Sequence, residues 1–354
     1  MIFSVLVLCG IAYHLLAIAG KLRFRRRQTV PSFTPPVSIL KPVRGRDPAF
    51  YEAIRSHAIQ QYPEFELIFG TADPADPAIA DIERLQHEFP SLSIHILSTK
   101  NDAPNGKVGS LEILAAAAKY ETLLVNDGDI VVPPDYLKRV IGLLADEKVG
   151  LVTCLYRGLG RSLASRAEAL GIATEFQPSV LVARLVDPKS AFALGSTMAF
   201  RAKSLEAIGG FPAIRDYLAD DYQLGARIGN VALSDVMVET SLGAGSWTDV
   251  WKHQVRWSRT IRVSRPAGYF GYVVTQLTFW SLVAALAGRY PVALTGLVMR
   301  LATAAFYTTP ATLFFVPFRD LFGMAVWAAG MGGNTVEWRG IRFRLNRDGK
   351  LTRT

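Results

Sequence analysis

The sequence predicts an α/β domain with a mainly parallel sheet, placed between apolar segments at the two ends of the chain. From Val37 onward, short apolar runs typical of strands alternate with runs of helical period, the pattern of a helix-covered parallel sheet. Residues 2–20, and much of the chain after Pro266, are instead apolar enough for membrane helices. The 354-residue length accommodates one large domain with additional elements.

The predicted strands and helices of this domain follow one another in a regular order. Apolar runs predict the strands, and a 3.6-residue period predicts the helices. The predicted strands are 37–40, 65–70, 92–97, 122–125 and 149–153, and the predicted helices are 79–88, 107–119 and 134–146. Such sheets bind ligands beyond the carboxyl ends of their strands. Polar residues that directly follow a strand are therefore candidates for a functional site.

Residues 1–20 form a predicted membrane anchor, and the basic and proline-rich residues 21–36 form a linker. The apolar run is about twenty residues long, which is enough for one bilayer crossing. Its basic cluster, 21–27, follows the apolar run, whereas a cleaved signal peptide carries its positive charge before it. We therefore expect a retained anchor, with the domain that follows on the cytoplasmic side of the membrane.

Residues 266–335 predict about two further membrane helices and one helix at the membrane surface. The first candidate span is 269–286, and 291–315 contains a second, interrupted by an arginine and a proline. Segment 317–329 carries an Arg-Asp pair, so it either crosses the bilayer or lies at its surface. The arginines of 336–354 mark that segment as a cytoplasmic tail, and we expect a multi-pass membrane protein.

The formal net charge of +9 is concentrated beside the apolar segments. Basic clusters in that position indicate a membrane surface as the partner. No nucleic-acid-binding module accompanies the charge, so we expect no nucleic-acid partner. Cys9 and Cys154 lie in apolar runs without metal-binding spacing, and we interpret them as packing residues.

The motif Asp127-Gly128-Asp129 directly follows the predicted strand 122–125 and is the first candidate for chemistry. Two carboxylates one residue apart, at the carboxyl end of a buried strand, can share one divalent cation. Transfer of a sugar from a nucleotide needs charge neutralisation on the leaving diphosphate, which a metal ion supplies. Asp127 and Asp129 are therefore the candidate metal ligands. Taken alone, the motif favours a solvated turn as the alternative.

Asp221, within Ala219-Asp220-Asp221-Tyr222, is the candidate general base. Sugar transfer to a hydroxyl requires a group that accepts the hydroxyl proton, and a carboxylate within hydrogen-bond reach can serve. The motif precedes a helix-like run, 222–228, and carboxylates also favour helix N-termini for purely structural reasons. A helix cap is thus the alternative.

Asp73 and Lys107 are candidates for binding the donor. Asp73 follows the predicted strand 65–70 and is assigned to the nucleoside, although Asp and Pro at this point also favour a turn before a helix. Lys107 is a candidate phosphate contact, and its alternative is an ordinary exposed lysine. The strand-like segment 195–201 either presents small residues near the acceptor or belongs to the core.

Arg256 and Trp257 precede the first C-terminal apolar segment. An arginine can pair with phosphate, and an indole ring can stack on a sugar, so the pair suits the mouth of a sugar site. The alternative is structural, because tryptophan is common at the membrane interface and arginines there set topology.

Together these motifs resemble the ceramide glucosyltransferase family of inverting glycosyltransferases, from about Val37 to the tail. Two positions depart from the family pattern: His253 stands where the signature before Arg-Trp has Gln or Arg, and Gly128 lies between the two metal-motif carboxylates. The blocks that look like those of the family are, in order, Leu40 to Asp47, Asp73 with Asp76 to Ile79, Asp127 to Asp129, Asp220 to Tyr222, Arg256-Trp257, and Gly333 to Gly340.

The resemblance implies a GT-A (Rossmann-like) glycosyltransferase fold for residues 37–265. It also implies a nucleotide-sugar donor, most often UDP-glucose, with Mg²⁺ or Mn²⁺ and a lipid acceptor met at the membrane. In this reading Asp221 is the base and Asp127 and Asp129 serve the metal. The remaining donor contacts are assigned to Lys41, Asp73, Lys107, Asp127, Arg256 and Trp257.

The acceptor and the sugar stay open at this point. Bacterial members of the family include enzymes that resemble hopanoid N-acetylglucosaminyltransferases, so both ceramide and a hopanoid are candidate acceptors. A polysaccharide synthase is an alternative of another class, but it needs more crossings to form a channel. A non-catalytic scaffold is a third, against which the full set of aspartates argues.

Overall fold

The structure is a computed structural model that describes residues 2–26, 28–189, 191–338 and 340–353. Arg27 and Arg339, which belong to the two basic clusters, lie outside the described residues. The strands are β1 (Val37–Val43), β2 (Phe65–Thr71), β3 (Ser93–Ser98), β4 (Thr122–Val125), β5 (Ile130–Val131), β6 (Leu151–Gly160), β7 (Met198–Arg201), β8 (Val231–Gly243), β9 (Thr335–Trp338), β10 (Ile341–Leu345) and β11 (Leu351–Arg353). The helices are α1 (Ile2–Phe24), α2 (Phe50–Ala58), α3 (Ala78–Glu88), α4 (Gly106–Ala117), α5 (Tyr136–Ile141), α6 (Leu163–Gly171), α7 (Gln177–Val186), α8 (Ala202–Glu206), α9 (Asp220–Ile228), α10 (Trp247–Ser264), α11 (Pro266–Thr275), α12 (Leu277–Leu286), α13 (Tyr290–Ala305), α14 (Pro310–Leu313) and α15 (Val316–Met331).

The central sheet has the strand order β3-β2-β1-β4-β7-β6-β8-β5. Strands β1 to β4 are parallel neighbours, and β6 is parallel to β8, so the α/β prediction is confirmed. Strand β7 runs antiparallel to both of its neighbours and β5 antiparallel to β8. The sheet is therefore mixed, because an apolar run predicts a strand but not its direction.

Both faces of the sheet are covered by helices. Successive side chains of a strand point to opposite faces, and β1 shows this directly: Ile39 belongs to the cluster packed by α2, α3 and α5, and Leu40 to the cluster packed by α4 and α9. Both side chains are fully buried. With both faces closed, the carboxyl ends of β1, β2 and β4 are where polar side chains can meet a ligand.

The predicted elements of the domain are confirmed with small shifts of their ends. Helix α3 begins at Ala78 and α4 ends at Ala117. The predicted helix 134–146 is α5 followed by one tighter helical turn, Gly142–Ala145. Strand β6 continues to Gly160, well beyond its predicted end at 153.

Two helices of the described chain are long and apolar enough to cross a membrane, namely Phe3–Phe24 and Leu163–Val186. The bent pair α11–α12, with a 48° angle at its break, adds a third if it is one span, and α13 is shorter. Helix α1 thus extends past residue 20. Leu163–Val186, which joins α6 to α7 through a π-helical turn, was not predicted, and half of its apolar window is buried inside the protein. The number of crossings stays a prediction.

Three charges of the C-terminal helices are paired inside the protein. The Arg300 guanidinium of α13 and the Asp320 carboxylate of α15 form a two-pronged pair at 2.8 and 2.6 Å, and the Thr278 hydroxyl also donates to Asp320. Arg319 lies 3.3 Å from the Glu175 carboxylate. The charges that made 317–329 a candidate surface helix are therefore buried between helices rather than turned outward.

Replacing Asp320 with Ala should destabilise the protein strongly. Removal of one partner leaves Arg300 as an uncompensated buried charge, which typically costs about 3–5 kcal/mol. Thermal unfolding in one detergent measures the effect. The double variant Asp320→Ala/Arg300→Met is the control, since it removes both charges and should recover much of the loss. Equal stability of the single variant and the parent would contradict the assigned pairing.

The predicted tail is a folded three-stranded sheet, β9-β10-β11. Its inner residues include Val336, Phe343 and Leu351, which pack on Leu218. The Leu351 amide donates to the Asp216 carbonyl at 2.7 Å. This sheet therefore holds the segment that leads into α9. The alternating pattern of Ile341 to Leu345 was a strand signal that the tail prediction left unused.

Candidate active site

Strand β4 delivers the metal-motif residues to the carboxyl edge of the sheet. Asn126, at its end, is fully buried, and its amide nitrogen donates to the Tyr136 hydroxyl at 2.9 Å and to the Ser196 carbonyl at 2.7 Å. Its amide oxygen lies 3.1 Å from His57 Nε2. Because buried polar networks of this kind fix local geometry, the turn that carries Asp127 and Asp129 starts from a rigid base.

Asp127 and Asp129 differ in their surroundings. The Asp127 side chain is 41% accessible, and the Thr240 hydroxyl of β8 donates to Asp129 Oδ2. Burial, together with the negative charge of Asp127, raises the pKa of Asp129 to about 6. Because the two carboxylates repel each other, binding of a cation between Asp127 and Asp129 would be favourable.

Lys107 links Asp127 to Asp220. It lies in the first turn of α4, which Asn105 caps by accepting from the Lys107 and Val108 amides. Its ammonium lies 2.8 Å from Asp127 Oδ1 and 3.0 Å from Asp220 Oδ2, and its side chain is only 16% accessible. Burial opposes the charged form, but Asp127 and Asp220 prevail and raise the pKa of Lys107. Lys107 is therefore not an ordinary exposed lysine.

Asp221 lies in the first turn of α9, which begins at Asp220. The N-cap position is Ala219, which makes no side-chain cap, but Asp220 and Asp221 both lie in the first turn, where the helix dipole favours carboxylates, as the structural alternative expects. The Gly195 amide donates to Asp221 Oδ2 at 3.0 Å, and the Tyr222 amide donates to Oδ1 at 2.7 Å. Burial, with the neighbouring Asp220, raises the pKa of Asp221 to about 6, against the opposing effect of Lys107.

Gly195 brings the predicted metal ligand and the predicted base together. A Cβ atom added to Gly195 would lie 3.1 Å from Asp127 Oδ2 and 3.6 Å from Asp221 Oδ2. Both carboxylates therefore face the same glycine, and a side chain there would fill the space between them. Segment 195–201 thus reaches the site at its first residue, and its later part is the core strand β7.

Asp73 lies in the exposed turn after β2, where its carboxylate accepts from the Ala75 amide at 2.9 Å. This contact matches the turn alternative, and the binding role of Asp73 stays a prediction. The neighbouring Asp76 is buried and accepts from the Gly45 amide at 2.7 Å. Asp76 thereby ties the loop after β1 to the loop after β2.

Lys41 is fully buried in β1, beneath the Asp127 turn. Its ammonium donates to the Asp127 backbone carbonyl at 3.2 Å. Burial lowers the pKa of Lys41 to about 7, although Asp129 and Asp127 act in the opposite direction. In this arrangement Lys41 holds the backbone of the metal motif by a hydrogen bond. Its direct contact with a donor stays a prediction.

Helix α10 carries Arg256 and Trp257, both partly buried. The ring of Trp257 lies 4.4 Å from that of His253, whose Nδ1 is 2.7 Å from the Glu168 carboxylate of α6. His253, for which the sequence provided no role, therefore positions Trp257 from one side. The ligand contacts of Arg256 and Trp257 stay predictions.

Tyr156 is a site neighbour that the sequence reasoning missed. Burial raises the pKa of its phenol, and the carboxylates of Asp221, Asp127, Glu168 and Asp129 raise it further. Tyr156 thus lies within electrostatic reach of both the aspartates and the His253 partner. It lies inside β6, and no motif of the sequence marks it, because its position relative to the aspartates depends on the fold.

Asp127 and Asp129 fit a divalent cation that takes its other ligands from a donor. Among the described residues, no group of three or more His, Cys, Asp or Glu side chains is arranged to hold a metal ion. Mg²⁺ is commonly held by one or two carboxylates together with substrate phosphates. The mutual repulsion at Asp129 is what such a cation would relieve.

The chain matches glycosyl transferase family 21 over residues 2–351. Ceramide glucosyltransferase 3 of Caenorhabditis elegans is 27% identical over 233 residues, which is 64% of this chain and 50% of that protein. A ceramide glucosyltransferase of Komagataella phaffii is 31% identical over 150 residues, which is 40% of this chain and 29% of that protein. The matches thus span half or less of these relatives' length.

The fold agrees with a solved glycosyltransferase. A mannosyltransferase from Pyrobaculum calidifontis, solved in complex with GDP-Man and Mn²⁺, superposes with a TM-score of 0.58 at 20% identity, over 93% of this chain and 97% of that one. This likeness confirms the GT-A fold. Because the family match covers nearly the whole chain, this protein belongs to glycosyl transferase family 21.

Proposed function

We propose that this protein is a membrane-bound inverting glycosyltransferase that moves a hexose, glucose first among the candidates, from a UDP-sugar to the hydroxyl of a lipid such as ceramide. The observation that carries the proposal is the approach of Asp127 and Asp221 to the same face of Gly195. A donor diphosphate site and a proton acceptor then lie side by side. The family match and the names of the two relatives support the same reaction class.

Each group of the site has a place in this reaction. When bound, a divalent cation would neutralise the charge that develops on the leaving diphosphate. Asp127 and Asp129 would hold it, and Lys107, already charged and buried beside Asp127, adds a second positive charge. Asp221 accepts the proton of the acceptor hydroxyl as its oxygen bonds to the sugar and the bond to the diphosphate breaks. One displacement of this kind inverts the configuration at the sugar carbon.

The apolar helices support a lipid as the acceptor. Helix α1 and the bent pair α11–α12 flank the catalytic domain in sequence, as expected for an enzyme that meets its acceptor in the bilayer. The basic clusters at 21–27 and 336–354 support a catalytic domain that faces the cytoplasm. A hopanoid acceptor with N-acetylglucosamine is the alternative pairing that the same site would accommodate.

Sugar transfer into a lipid extract tests the proposal. The detergent-solubilised protein is incubated with radiolabelled UDP-glucose, UDP-N-acetylglucosamine or GDP-mannose, with ceramide or a hopanoid, and with or without a chelator. We expect one labelled lipid from one UDP-sugar, lost when the chelator is present. A long labelled polymer would indicate a polysaccharide synthase instead. No labelled product from any donor with folded protein would overturn the proposal.

Activity should fall as the pH drops below about 6. The base must be unprotonated to accept a proton, and burial with Asp220 raises the pKa of Asp221 to about 6, against Lys107. Asp127 lies nearby and acts in the same direction as Asp220. On the acid side, kcat/KM should therefore decrease about tenfold per pH unit. A profile that stays flat down to pH 4.5, with the protein still folded, would contradict this assignment.

A further inference from the structure

A cavity of about 570 Å³ lies at the end of α1, away from the aspartates of the candidate active site. We refer to it as the basal cavity. It is lined by the last turn of α1 and the residues after it, by α5 and β8, and by residues 306–309. Asp235, which lines it, lies in β8 upstream of the Thr240 that contacts Asp129. The basal cavity is therefore distinct from the proposed sugar-transfer site.

The basal cavity opens where two apolar helices end. Helix α1 ends at Phe24 and α13 ends at Ala305, and the two helices pack side by side, with the Tyr307 hydroxyl donating to the Ala17 carbonyl at 2.6 Å. Because α1 is long and apolar enough to cross a bilayer, the region just beyond its last apolar turn lies at the depth of lipid headgroups. A ligand of this cavity would thus come from the membrane surface.

The negative charges that line the cavity are already paired. Arg139 lies 2.7 Å from the Asp235 carboxylate and 3.5 Å from that of Asp135, and Asp235 also accepts from the Gln28 amide at 2.8 Å. These two carboxylates and one guanidinium together carry one net negative charge. The lining as a whole carries one net positive charge, which comes from the two cations at the end of α1.

Lys21, in the last turn of α1, and Arg25, the first residue after it, supply that charge about one helical turn apart. Among the described residues, neither is within ion-pair distance of a carboxylate. The Lys21 ammonium donates to the Gln177 side chain at 3.4 Å and faces the Tyr307 ring at 4.7 Å, and Arg25 donates to the Phe306 carbonyl at 3.1 Å. Both cations therefore keep donors for an anion in the cavity.

We propose that the basal cavity binds the phosphate group of an anionic phospholipid, with Lys21 and Arg25 as its charge partners. Ion pairing of phosphate with guanidinium and ammonium groups at a membrane surface supplies the affinity. The aromatic wall of Phe24 and Tyr307 is suited to the apolar part of the headgroup region. A free phosphate ion shares this chemistry, and the experiment separates the two sources.

The test measures phospholipid retained by the whole detergent-solubilised protein. Phosphatidylglycerol or phosphatidylcholine is added, and native mass spectrometry counts bound lipid. Binding of radiolabelled inorganic phosphate is measured in parallel. We expect Lys21→Gln/Arg25→Gln to weaken phosphatidylglycerol binding about thirtyfold, because two cations at an anionic surface are lost. The matched control is Arg23→Gln/Arg26→Gln, which removes two exposed charges near the same helix end but outside the cavity.

The outcomes are distinct. Loss of phosphatidylglycerol in the cavity variant but not in the control supports the proposal with a lipid as the source. Inorganic phosphate bound without lipid retention overturns the lipid source. Equal losses in both variants, or no binding of either probe, overturn the site itself. Thr309→Phe, at an exposed cavity-lining position, should block the space without removing charge, and it covers the case in which the Lys21 variant fails to fold.

Discussion

Asp221→Asn should reduce sugar transfer by about 10²–10⁴-fold while UDP-sugar binding persists, because the amide cannot accept the hydroxyl proton. The substitution preserves the shape of the side chain and an oxygen for the hydrogen bond from the Gly195 amide. Transfer rates and UDP-sugar affinity are measured on the same solubilised protein. The effect should therefore appear in kcat far more than in donor affinity.

Asp187→Asn is the matched control for this substitution. Asp187 is exposed at the end of α7, and its carboxylate accepts from the nearby Lys189 amide. The control should retain the parent's transfer rate. If Asp221→Asn also turned over at the parent's rate, another group would be the base and the assignment of Asp221 would be wrong.

Asp129→Ala should weaken Mn²⁺-dependent UDP binding by about a hundredfold. Loss of a metal ligand costs at least as much as loss of the groups that orient a ligand, for which 10–100-fold is typical. Electron paramagnetic resonance of free Mn²⁺, titrated with protein and UDP, measures this without turnover. Unchanged metal dependence in this variant would exclude Asp129 as a ligand.

Thr240→Val provides a graded comparison for the metal site. It removes the hydroxyl that donates to Asp129 but leaves both carboxylates in place. We expect a loss of about tenfold in Mn²⁺-dependent UDP binding, the lower end of the range for groups that orient a metal ligand. An effect as large as that of Asp129→Ala would mean that Thr240 contributes more than orientation.

Much of the fold was predictable because its signals are local. Apolar runs and helical periodicity gave β1 to β4 and the helices α3 and α4, since each pattern repeats within a few residues, whereas α2 was not predicted. The antiparallel direction of β7 and the docking of β11 beside Asp216 were not predictable in this way. Both depend on contacts between segments distant in the chain, which periodicity does not contain.

The candidate site shows the same division. Asp127, Asp129 and Asp221 were proposed from motifs, because each motif is a short run of adjacent residues, and their roles stay predictions. The bridge from Lys107 to Asp127 and Asp220 was not identified, because it joins residues from three separate elements. A pattern of residue types predicts which side chains could bind a metal or accept a proton. Which of these side chains lie within contact distance of one another depends on the fold.

The buried pair of Arg300 and Asp320 also bears on how the chain enters the membrane. A single charged side chain at the centre of an inserting helix costs about 2.5–3.5 kcal/mol on scales of translocon-mediated insertion. If α13 and α15 enter the bilayer, separate insertion would carry this cost for Arg300 and for Asp320. The two charges neutralise each other at 2.6 Å, so insertion of the two helices as a pair would avoid that cost and would be cooperative.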